Sequence, residues 1–272
     1  MHCRCDSFRS AQLESHETTL KILCWNINKN NQSSQWAQEF DSLLSRYQPD
    51  VICLQEVRLP DSCCQASPMS AYLSDTLQHK AAIDAMGWCF APNFQDTIAQ
   101  TYSGVLTGAK VSSTNSTSLL TQSTEPITQT PKASLLTTYS LQSQLECENA
   151  DSLLIVNTHL INFVGVAQFQ SQLDQIGSAI AQHNGAVILA GDFNTWSRDR
   201  MERLQRCCCE LNLIQATFSS QDTARIKRFL LSSPLDHIFY RGFDQVLSEA
   251  KVIDPIYASD HRPLVIELTR RF

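Results

Sequence analysis

The chain has 272 residues, of which 43% are hydrophobic, and its formal net charge is −6 at pH 7. This length suits one large domain or two small ones with a real hydrophobic core, and the acidic balance disfavours a protein that binds nucleic acid through a basic surface. No run approaches the roughly 20 apolar residues that span a bilayer, and residues 1–18 lack the apolar segment of a secretory signal peptide. We therefore predict no integral membrane segment and a cytoplasmic location.

The 11 cysteines lack the spacing of a metal site. Cys24 and Cys53 lie inside apolar runs, where a reduced cysteine acts as a small hydrophobe. A zinc site needs a pair such as C-x2-C together with a second pair or with histidines, whereas the runs 63–64 and 207–209 are directly adjacent cysteines. The cysteines therefore favour a reducing compartment and disfavour a structural zinc site.

The first third of the chain alternates between predicted strands and helices. Residues 1–18 are polar and without periodicity, which predicts a flexible arm before a single domain over residues 19–272. The apolar run at 20–28 predicts a buried strand, and a second run at 50–57 predicts another. Between them, apolar residues at helical spacing predict a helix that Ser33 or Ser34 caps and that ends before Pro49.

The middle of the chain is less regular. We predict a loop over residues 60–68, a helix over 70–84, and strands in the segments GWCFAPN and SGVLTGAKV. Residues 111–131 are rich in serine and threonine and contain two prolines. This composition fits either a linker or exposed edge strands, because β-branched threonine suits a strand surface.

The last half again combines predicted strands with helices. Strands are predicted in ASLLTTYSL, SLLIVNTHL, GAVILAGDFN, PLDHIFYRG and PLVIELT. Apolar residues at helical spacing predict a helix over 166–183, and a further helix follows Ser197. The pattern indicates an α/β protein with two sheets.

Polar side chains follow several of these apolar runs, where a hydrophobic core has no use for them. They are Asn26, Asn28, Glu56, Asn157, His159, Asp192, Asn194, Asp236, His237, Asp260 and His261. Sites in α/β proteins form outside the carboxyl ends of strands. Carboxylate and amide oxygens suit Mg²⁺, and an imidazole paired with an aspartate can stay protonated and stabilise charge on phosphorus. This inventory favours hydrolysis of a phosphate ester.

Two groups of polar residues are assigned to structure instead of chemistry. His237 neighbours Asp236 on a predicted strand, so its side chain points to the opposite face and is predicted to be a core histidine. The arginines of the helix after Ser197 are predicted to form a solvated face and not a phosphate-binding patch. They are Arg198, Arg200, Arg203 and Arg206.

The motifs CWNIN, LQEV, NTHL, GDFN, LDHIF and SDHRPL occur in the order found in the endonuclease/exonuclease/phosphatase superfamily, and the chain resembles it from about Leu20 to Leu268. The resemblance implies the DNase I-like fold, a four-layer α/β sandwich of two mixed β-sheets packed face to face with helices outside. The stretch around residues 162–201 is most similar to an uncharacterised bacterial cytoplasmic branch of the superfamily.

The resemblance also implies a metal site for Mg²⁺ or Mn²⁺. Glu56 matches the metal-binding glutamate of the family, and Asn26 matches the asparagine beside it. Asp260 matches a second carboxylate near the metal. Asn28 stands where the repair endonucleases carry a metal-side aspartate and lacks that charge, so it is not predicted to be a metal ligand.

The remaining matches imply catalytic roles. Asp192 matches the aspartate that orients or activates the attacking water, and Asn194 matches the amide that helps to hold phosphate and water. His261 matches the histidine that contacts the scissile phosphate, with Asp236 as its orienting partner. His159 matches a histidine of the DNase-like and phosphatase branches.

Together these features predict a Mg²⁺-dependent phosphodiesterase, with nucleases among the candidates, that cleaves a P–O bond by in-line attack of water. The alternatives are a phosphomonoesterase or lipid-headgroup phosphodiesterase, and a catalytically silent binding module. The predicted partner is a phosphate-ester substrate, either nucleic acid or a small or lipid headgroup. No obligate protein partner is evident.

Overall fold

The computed structural model describes residues 4–5, 19–65, 69–141, 152–230 and 232–270. Most of the predicted N-terminal arm lies outside these residues, but Arg4–Cys5 form a short strand. In chain order the strands are β1 (Arg4–Cys5), β2 (Thr19–Asn26), β3 (Val51–Pro60), β4 (Gly87–Asp96), β5 (Thr101–Ala109), β6 (Asn115–Leu120), β7 (Ala133–Ser140), β8 (Ser152–His159), β9 (Ala186–Asp192), β10 (Ile214–Gln215), β11 (Asp236–Arg241), β12 (Phe243–Gln245), β13 (Lys251–Val252) and β14 (Leu264–Arg270). The α-helices are α1 (Ser34–Tyr47), α2 (Asp61–Gln65), α3 (Met69–Thr76), α4 (Lys80–Asp84), α5 (Val166–Ala181), α6 (Arg198–Glu210) and α7 (Ser220–Arg225), and a 3₁₀ turn spans Leu247–Glu249.

Within the described residues the strands form two mixed sheets. The first runs in the order β1-β4-β5-β3-β2-β14-β12, with β13 also paired to β14, and the second runs β10-β11-β9-β8-β7-β6. In each sheet one pair of neighbours is parallel, β2 with β3 and β8 with β9. Each parallel pair is joined through a long helix, α1 or α5. Parallel strands end at the same edge of their sheet, so each sheet has one edge to which two strands bring their carboxyl ends.

The hydrophobic core lies in three layers. One buried cluster fills the space between the two sheets. A second packs the outer face of the first sheet against α1, α3 and α4, and a third packs the outer face of the second sheet against α5 and α6. The order helix, sheet, sheet, helix confirms the predicted four-layer α/β sandwich.

The first predicted helix is confirmed at both ends. Trp36 donates its backbone N–H to the Ser33 hydroxyl at 3.1 Å, so Ser33 is the N-cap. Gln48 follows the helix with a left-handed φ of 47°, which turns the chain just before Pro49.

The following segment differs from its prediction. Part of the predicted loop over 60–68 is the short helix α2, while residues 66–68 lie outside the described residues. The single helix predicted over 70–84 is divided into α3 and α4. The break has a tertiary cause, because the Asp41 carboxylate accepts the backbone N–H groups of Gln78 and His79 at 2.8 and 3.0 Å.

Residues 111–131, predicted as a linker or as edge strands, contain the edge strand β6 of the second sheet. Its serines and threonines are partly exposed, as expected for an edge.

The cysteines are partly as predicted. Cys24, Cys53 and Cys207–Cys209 carry free thiols, and burial raises the pKa of the Cys53 thiol to about 12. Cys89 is disulfide-bonded, which the sequence analysis did not predict.

None of the described helices is long and apolar enough to cross a membrane.

Candidate active site

In four strands, the residues that face the space between the sheets are mostly apolar, but the residue at one end of the strand is polar. In β2, for example, Leu20, Ile22 and Cys24 lie in the inter-sheet core, and Asn26 is the next residue of that series. The same alternation ends β8 at His159 and β9 at Asp192, and it places Asp236 at the start of the antiparallel β11. The core of the sandwich therefore leads directly into a polar edge.

Asp192 is the centre of this edge. Its neighbours across the second sheet are His159 on β8 and Asp236 on β11. From the first sheet, Asn26 donates its Nδ2 to Asp192 Oδ2 at 2.9 Å. The carboxylate is buried and is contacted from both sheets, so its position depends on how the two sheets are packed.

The residues on either side of Asp192 explain the GDFN motif. Gly191 has φ of +150°, and a Cβ there would lie 1.8 Å from the Thr158 carbonyl oxygen, so a side chain cannot be accommodated. Asn194 has a left-handed φ of 49°, which asparagine tolerates. Its backbone N–H donates to Asp192 Oδ1 at 3.0 Å, and its Nδ2 donates to the Leu160 carbonyl at 2.8 Å.

Glu56 reaches the same edge through a β-bulge in β3. The inward positions of β3 are Val51, Cys53 and Gln55, so regular alternation would turn Glu56 outward. A bulge between Leu54 and Val57 interrupts the register with β5, and Glu56 itself has φ of +55°. A positive φ is unusual for glutamate, and bulges with such backbone strain are frequent next to active sites.

The bulge directs the Glu56 carboxylate toward the site. Glu56 Oε1 lies 3.9 Å from His159 Nε2, and the same nitrogen lies 3.5 Å from Asp192 Oδ2. Carboxylates from the two sheets therefore flank one imidazole, as the prediction of a shared site requires.

His261 is fixed by its own loop. Its Nδ1 donates to Asp236 Oδ2 at 2.8 Å, and its backbone N–H donates to the Ser259 hydroxyl, which donates in turn to the Asn26 carbonyl. The Trp25 indole N–H donates to the His261 carbonyl at 3.1 Å. These bonds leave Nε2 facing Asp192 Oδ2 at 3.8 Å.

The two imidazoles beside Asp192 have opposite protonation preferences. Burial opposes the charged form of His261, but Asp236, Asp192 and Asp260 outweigh it and raise its pKa to about 10. Burial and the nearby cations Lys132, His261 and Lys29 hold the pKa of His159 well below its ordinary value. Near neutral pH the site thus holds one imidazolium and one neutral imidazole.

Asp192 is also shifted. Burial and Asp236 raise the pKa of this carboxyl to about 7, although His261, Asn194 and Asn26 act in the opposite direction. The carboxylate is therefore poised to exchange a proton near neutral pH, a common property of catalytic groups.

Asp192, Asp236 and His261 also have ligand atoms within 4.8 Å of one another, which is close enough to surround an ion. We interpret them differently, because His261 Nδ1 is hydrogen-bonded to Asp236 and a protonated imidazole has no lone pair for a metal. The geometry is that of an aspartate–histidine pair beside a second aspartate.

Asp260 lies at the rim of the site. Its half-exposed carboxylate pairs with Lys227 and lies 4.0 Å from His261 Nε2. Among the described residues, neither Glu56 nor Asn26 is in hydrogen-bond or ion-pair contact with it. Its predicted part in the metal site stays a prediction.

These side chains open into a cleft of about 260 Å³. Of the predicted residues, Asn26, Glu56, His159, Asp192, Asn194, Asp260 and His261 line it, and Asp236 lies behind His261. Residues that sequence reasoning missed also line it, namely Glu125, Lys132, Asn162, Phe163, Lys227 and Phe229. They lie on loops, and only Asn162 and Phe163 belong to a stretch that the sequence resemblance singled out, so the fold was needed to place them here.

Asn157 and His237 do not join the cleft. Asn157 lies between the sheets, where its Nδ2 donates to the carbonyls of Leu54 and Leu106. It therefore joins the two sheets and has no catalytic contact. His237 is buried against the Pro234 carbonyl and other polar groups, and burial lowers its pKa to about 4. This agrees with the predicted core histidine.

The prediction that the arginines of α6 form a solvated face is wrong for Arg200. Arg198 is 90% exposed, whereas Arg200 is completely buried. Its guanidinium donates to the carbonyls of Ile161, Asn194 and Val164. The hydrogen bonds to these three carbonyls stabilise the buried guanidinium, which the spacing of the arginines along the helix does not predict.

The chain is similar in sequence to a known protein family. The family model described as the Endonuclease/Exonuclease/phosphatase family matches residues 23–261. The chain belongs to this family. A UPF0294 protein of Vibrio campbellii is 30% identical over 267 residues, 98% of this chain and 83% of that protein. A second UPF0294 protein, of Vibrio parahaemolyticus, is 31% identical over the same shares.

Solved structures show the same fold. An endonuclease/exonuclease/phosphatase of Beutenbergia cavernae has a TM-score of 0.68 at 17% identity and covers 93% of this chain and 72% of its own. The human Nocturnin catalytic domain with a bound sulfate anion has a TM-score of 0.63 at 19% identity, over 93% of this chain and 95% of its own. Members of the Endonuclease/Exonuclease/phosphatase family hydrolyse phosphoester bonds, generally with a divalent metal, and this chain is an enzyme of that class.

Proposed function

We propose that this protein is a phosphodiesterase that uses Mg²⁺ or Mn²⁺ and attacks phosphorus in line with a water molecule. The observation that carries the proposal is the arrangement around Asp192, a buried carboxylate with His159 at 3.5 Å and the imidazolium of His261 at 3.8 Å. Such a site combines a proton acceptor for water with a cation for the charge that develops on phosphate oxygens.

The donor set fits a hard divalent cation. Within the described residues the Glu56 carboxylate accepts no hydrogen bond, and its nearest basic groups, Lys29 Nζ and His159 Nε2, both lie at 3.9 Å. Its oxygens are therefore available. Asn26 lines the same cleft, and its amide oxygen accepts the Asn28 N–H at 3.0 Å and has a second lone pair. We propose Glu56 and Asn26 as ligands, with Asp260 at the rim as an additional carboxylate. When bound, the ion would supply positive charge to the phosphoryl and leaving oxygens.

The residues of the chain then have separate tasks. Asp192 accepts a hydrogen bond from the attacking water and takes its proton. His261 keeps Nδ1–H on Asp236 and presents Nε2–H to a phosphate oxygen. Asn194 fixes Asp192 through its backbone N–H, and we propose that its amide also contacts the phosphate. Neutral His159 offers a further hydrogen-bonding nitrogen beside Glu56 and Asp192.

A direct test is hydrolysis of bis-p-nitrophenyl phosphate with Mg²⁺ or Mn²⁺ by the wild type and by Asp192→Ala and His261→Ala. Each substitution is expected to lower kcat by about 10²–10³-fold or more, as the loss of a general base or of a charge-stabilising group does. Full activity in either variant would remove the assigned roles.

The chain offers a matched control. His79 also pairs with an aspartate, Asp41, at 3.2 Å, but it does not line the cleft. His79→Ala should retain kcat within about twofold, whereas a loss equal to that of His261→Ala would indicate a general effect on folding.

Two further assays separate the alternatives. A phosphomonoesterase would prefer p-nitrophenyl phosphate to the diester. A nuclease should bind its substrate more weakly as salt rises, because phosphate contacts release counterions, whereas an enzyme acting on a small headgroup should respond less. A silent binding module would hydrolyse none of these esters.

A further inference from the structure

Two exposed aromatic rings stand at the mouth of the catalytic cleft. Phe163 is 57% exposed and Phe229 is 41% exposed, and both line the cleft together with Asp192 and His261. Their ring centroids lie 6.4 Å apart with an interplanar angle of 36°, so the rings contact each other and form a joint surface. Exposed apolar groups that cluster beside a site mark a surface that contacts a ligand or partner.

The backbone holds both rings in this position. Phe163 has a left-handed φ of 51°, which is strained for a phenylalanine, and its N–H donates to Asn162 Oδ1. The same oxygen accepts the Trp196 indole N–H at 2.9 Å. Phe229 lies in a turn in which its N–H donates to the Ser232 hydroxyl at 3.0 Å. The exposure of the two rings is therefore built into two separate loops.

Cationic groups lie in the same cleft. Lys132 is nearly buried and pairs with Glu125 at 3.3 Å, and Lys227 pairs with Asp260. A ligand that satisfies the whole cleft would combine a phosphate, for the catalytic side chains and lysines, with a flat aromatic group for the rings. An unpaired nucleobase has such a group, and bases stack on aromatic side chains with little dependence on sequence.

We propose that Phe163 and Phe229 form a stacking platform for an unpaired nucleobase next to the scissile phosphate. The proposal rests on the phosphodiesterase function above and narrows its substrate to a nucleotide or the unpaired end of a strand. A membrane surface is the less favoured occupant, because Phe163 and Phe229 line a concave cleft and a bilayer presents a flat surface.

The test compares two esters with the same leaving group, thymidine 5′-(p-nitrophenyl phosphate) and methyl p-nitrophenyl phosphate. In Phe163→Ala and Phe229→Ala, KM for the thymidine ester should rise about tenfold, consistent with the loss of one base–aromatic contact. KM for the methyl ester, which has no base, should change less than twofold. Phe163→Tyr and Phe229→Tyr should restore the thymidine KM, because they keep a ring.

Phe94→Ala is the matched control, because Phe94 is also 41% exposed but does not line the cleft. If Phe163→Ala and Phe229→Ala change KM equally for both esters, or change it for neither, the proposed platform is wrong. If the wild type cleaves neither ester, the phosphodiesterase function fails. The platform is then tested by calorimetric binding of thymidine 5′-monophosphate, which should weaken about tenfold in Phe163→Ala, and unchanged or absent binding refutes it.

A membrane occupant gives a different result. Leu230, next to Phe229, is 94% exposed and does not line the cleft. Under the platform, Leu230→Ser leaves the thymidine KM unchanged and the protein does not sediment with vesicles of phosphatidylglycerol and phosphatidylethanolamine. If the wild type sediments with vesicles, Leu230→Ser abolishes this sedimentation, and KM does not differ between the esters, the ligand of this surface is a bilayer and not a nucleobase.

Discussion

Arg200 offers a test of how the active-site loops are held. The side chain enters from α6 and reaches three backbone carbonyls, those of Ile161 at 2.9 Å, Val164 at 2.9 Å and Asn194 at 3.2 Å. These carbonyls belong to the two loops that follow His159 and Asp192. A single guanidinium thus joins both loops behind the cleft.

Aromatic rings enclose the guanidinium as well. The Arg200 Cζ atom lies 4.6 Å from the ring centroids of both Phe169 and Trp196. Burial lowers the pKa of Arg200 to about 10, so the side chain remains a cation at neutral pH. Its desolvation is offset by the rings and the carbonyls.

The magnitude follows from these contacts. Hydrogen bonds to a charged group contribute about 1.5 kcal/mol each at the low end, so three give between about 4 and 5 kcal/mol, and release of the buried charge offsets part of this. We expect Arg200→Ala to lower the free energy of unfolding by about 3 kcal/mol. At about 2–4 °C per kcal/mol for a domain of this size, Tm should fall by about 6–12 °C.

The assay is urea unfolding followed by tryptophan fluorescence, with Arg198→Ala as the control. Arg198 lies on the same helix but is 90% exposed, so its ion pair with Glu202 is screened by solvent and its loss should change the unfolding midpoint little. Arg200→Lys should recover little, because an ammonium cannot match the planar fork. Equal unfolding midpoints for the two alanine variants would refute the reasoning.

Three other outcomes are expected. The value of kcat/KM should rise with pH as Asp192 ionises, since burial raises its pKa to about 7. It should fall again near pH 10, where His261 loses its proton, and a flat profile from pH 5 to 9 would contradict the assignment. Chelation with EDTA should abolish hydrolysis, and Mg²⁺ should raise the Tm of the wild type but not of Glu56→Gln, so equal Tm shifts would exclude Glu56 as a ligand. Gly191→Ala should lower the free energy of unfolding by about 2–3 kcal/mol, because the new Cβ meets the Thr158 carbonyl. If the variant unfolds at the same urea concentration as the wild type, β8 and β9 can move apart to accept the Cβ and the reasoning is wrong.

Much of the site could be predicted from local sequence. Successive side chains of a strand point to opposite faces. When every second residue is apolar and the last of the series is polar, that polar residue lies at the rim of the core. Asn26 and Asp192 each end such a series, and Asp236 opens one. The order of the motifs then indicated the fold, and with it the expectation that these residues meet.

Glu56 and Asn157 show where alternation by itself misleads. Regular alternation would turn Glu56 away from the inter-sheet space, and the bulge in β3 brings it back. Asn157 points to the same side of its strand as His159 but lies two residues earlier, so the opposing sheet covers it and its amide links the two sheets. Both outcomes depend on a neighbouring strand, which local sequence does not specify.

The sequence by itself therefore determined the layers, the strand ends and most of the polar side chains that meet at the cleft, because strand and helix periodicities are properties of adjacent residues. Only the tertiary structure decided that Arg200 is buried, that Lys227 pairs with Asp260, and that Phe163 and Phe229 meet at the cleft. These contacts join residues far apart in the chain. Their energies arise when the two sheets pack and exclude water, so no local pattern records them.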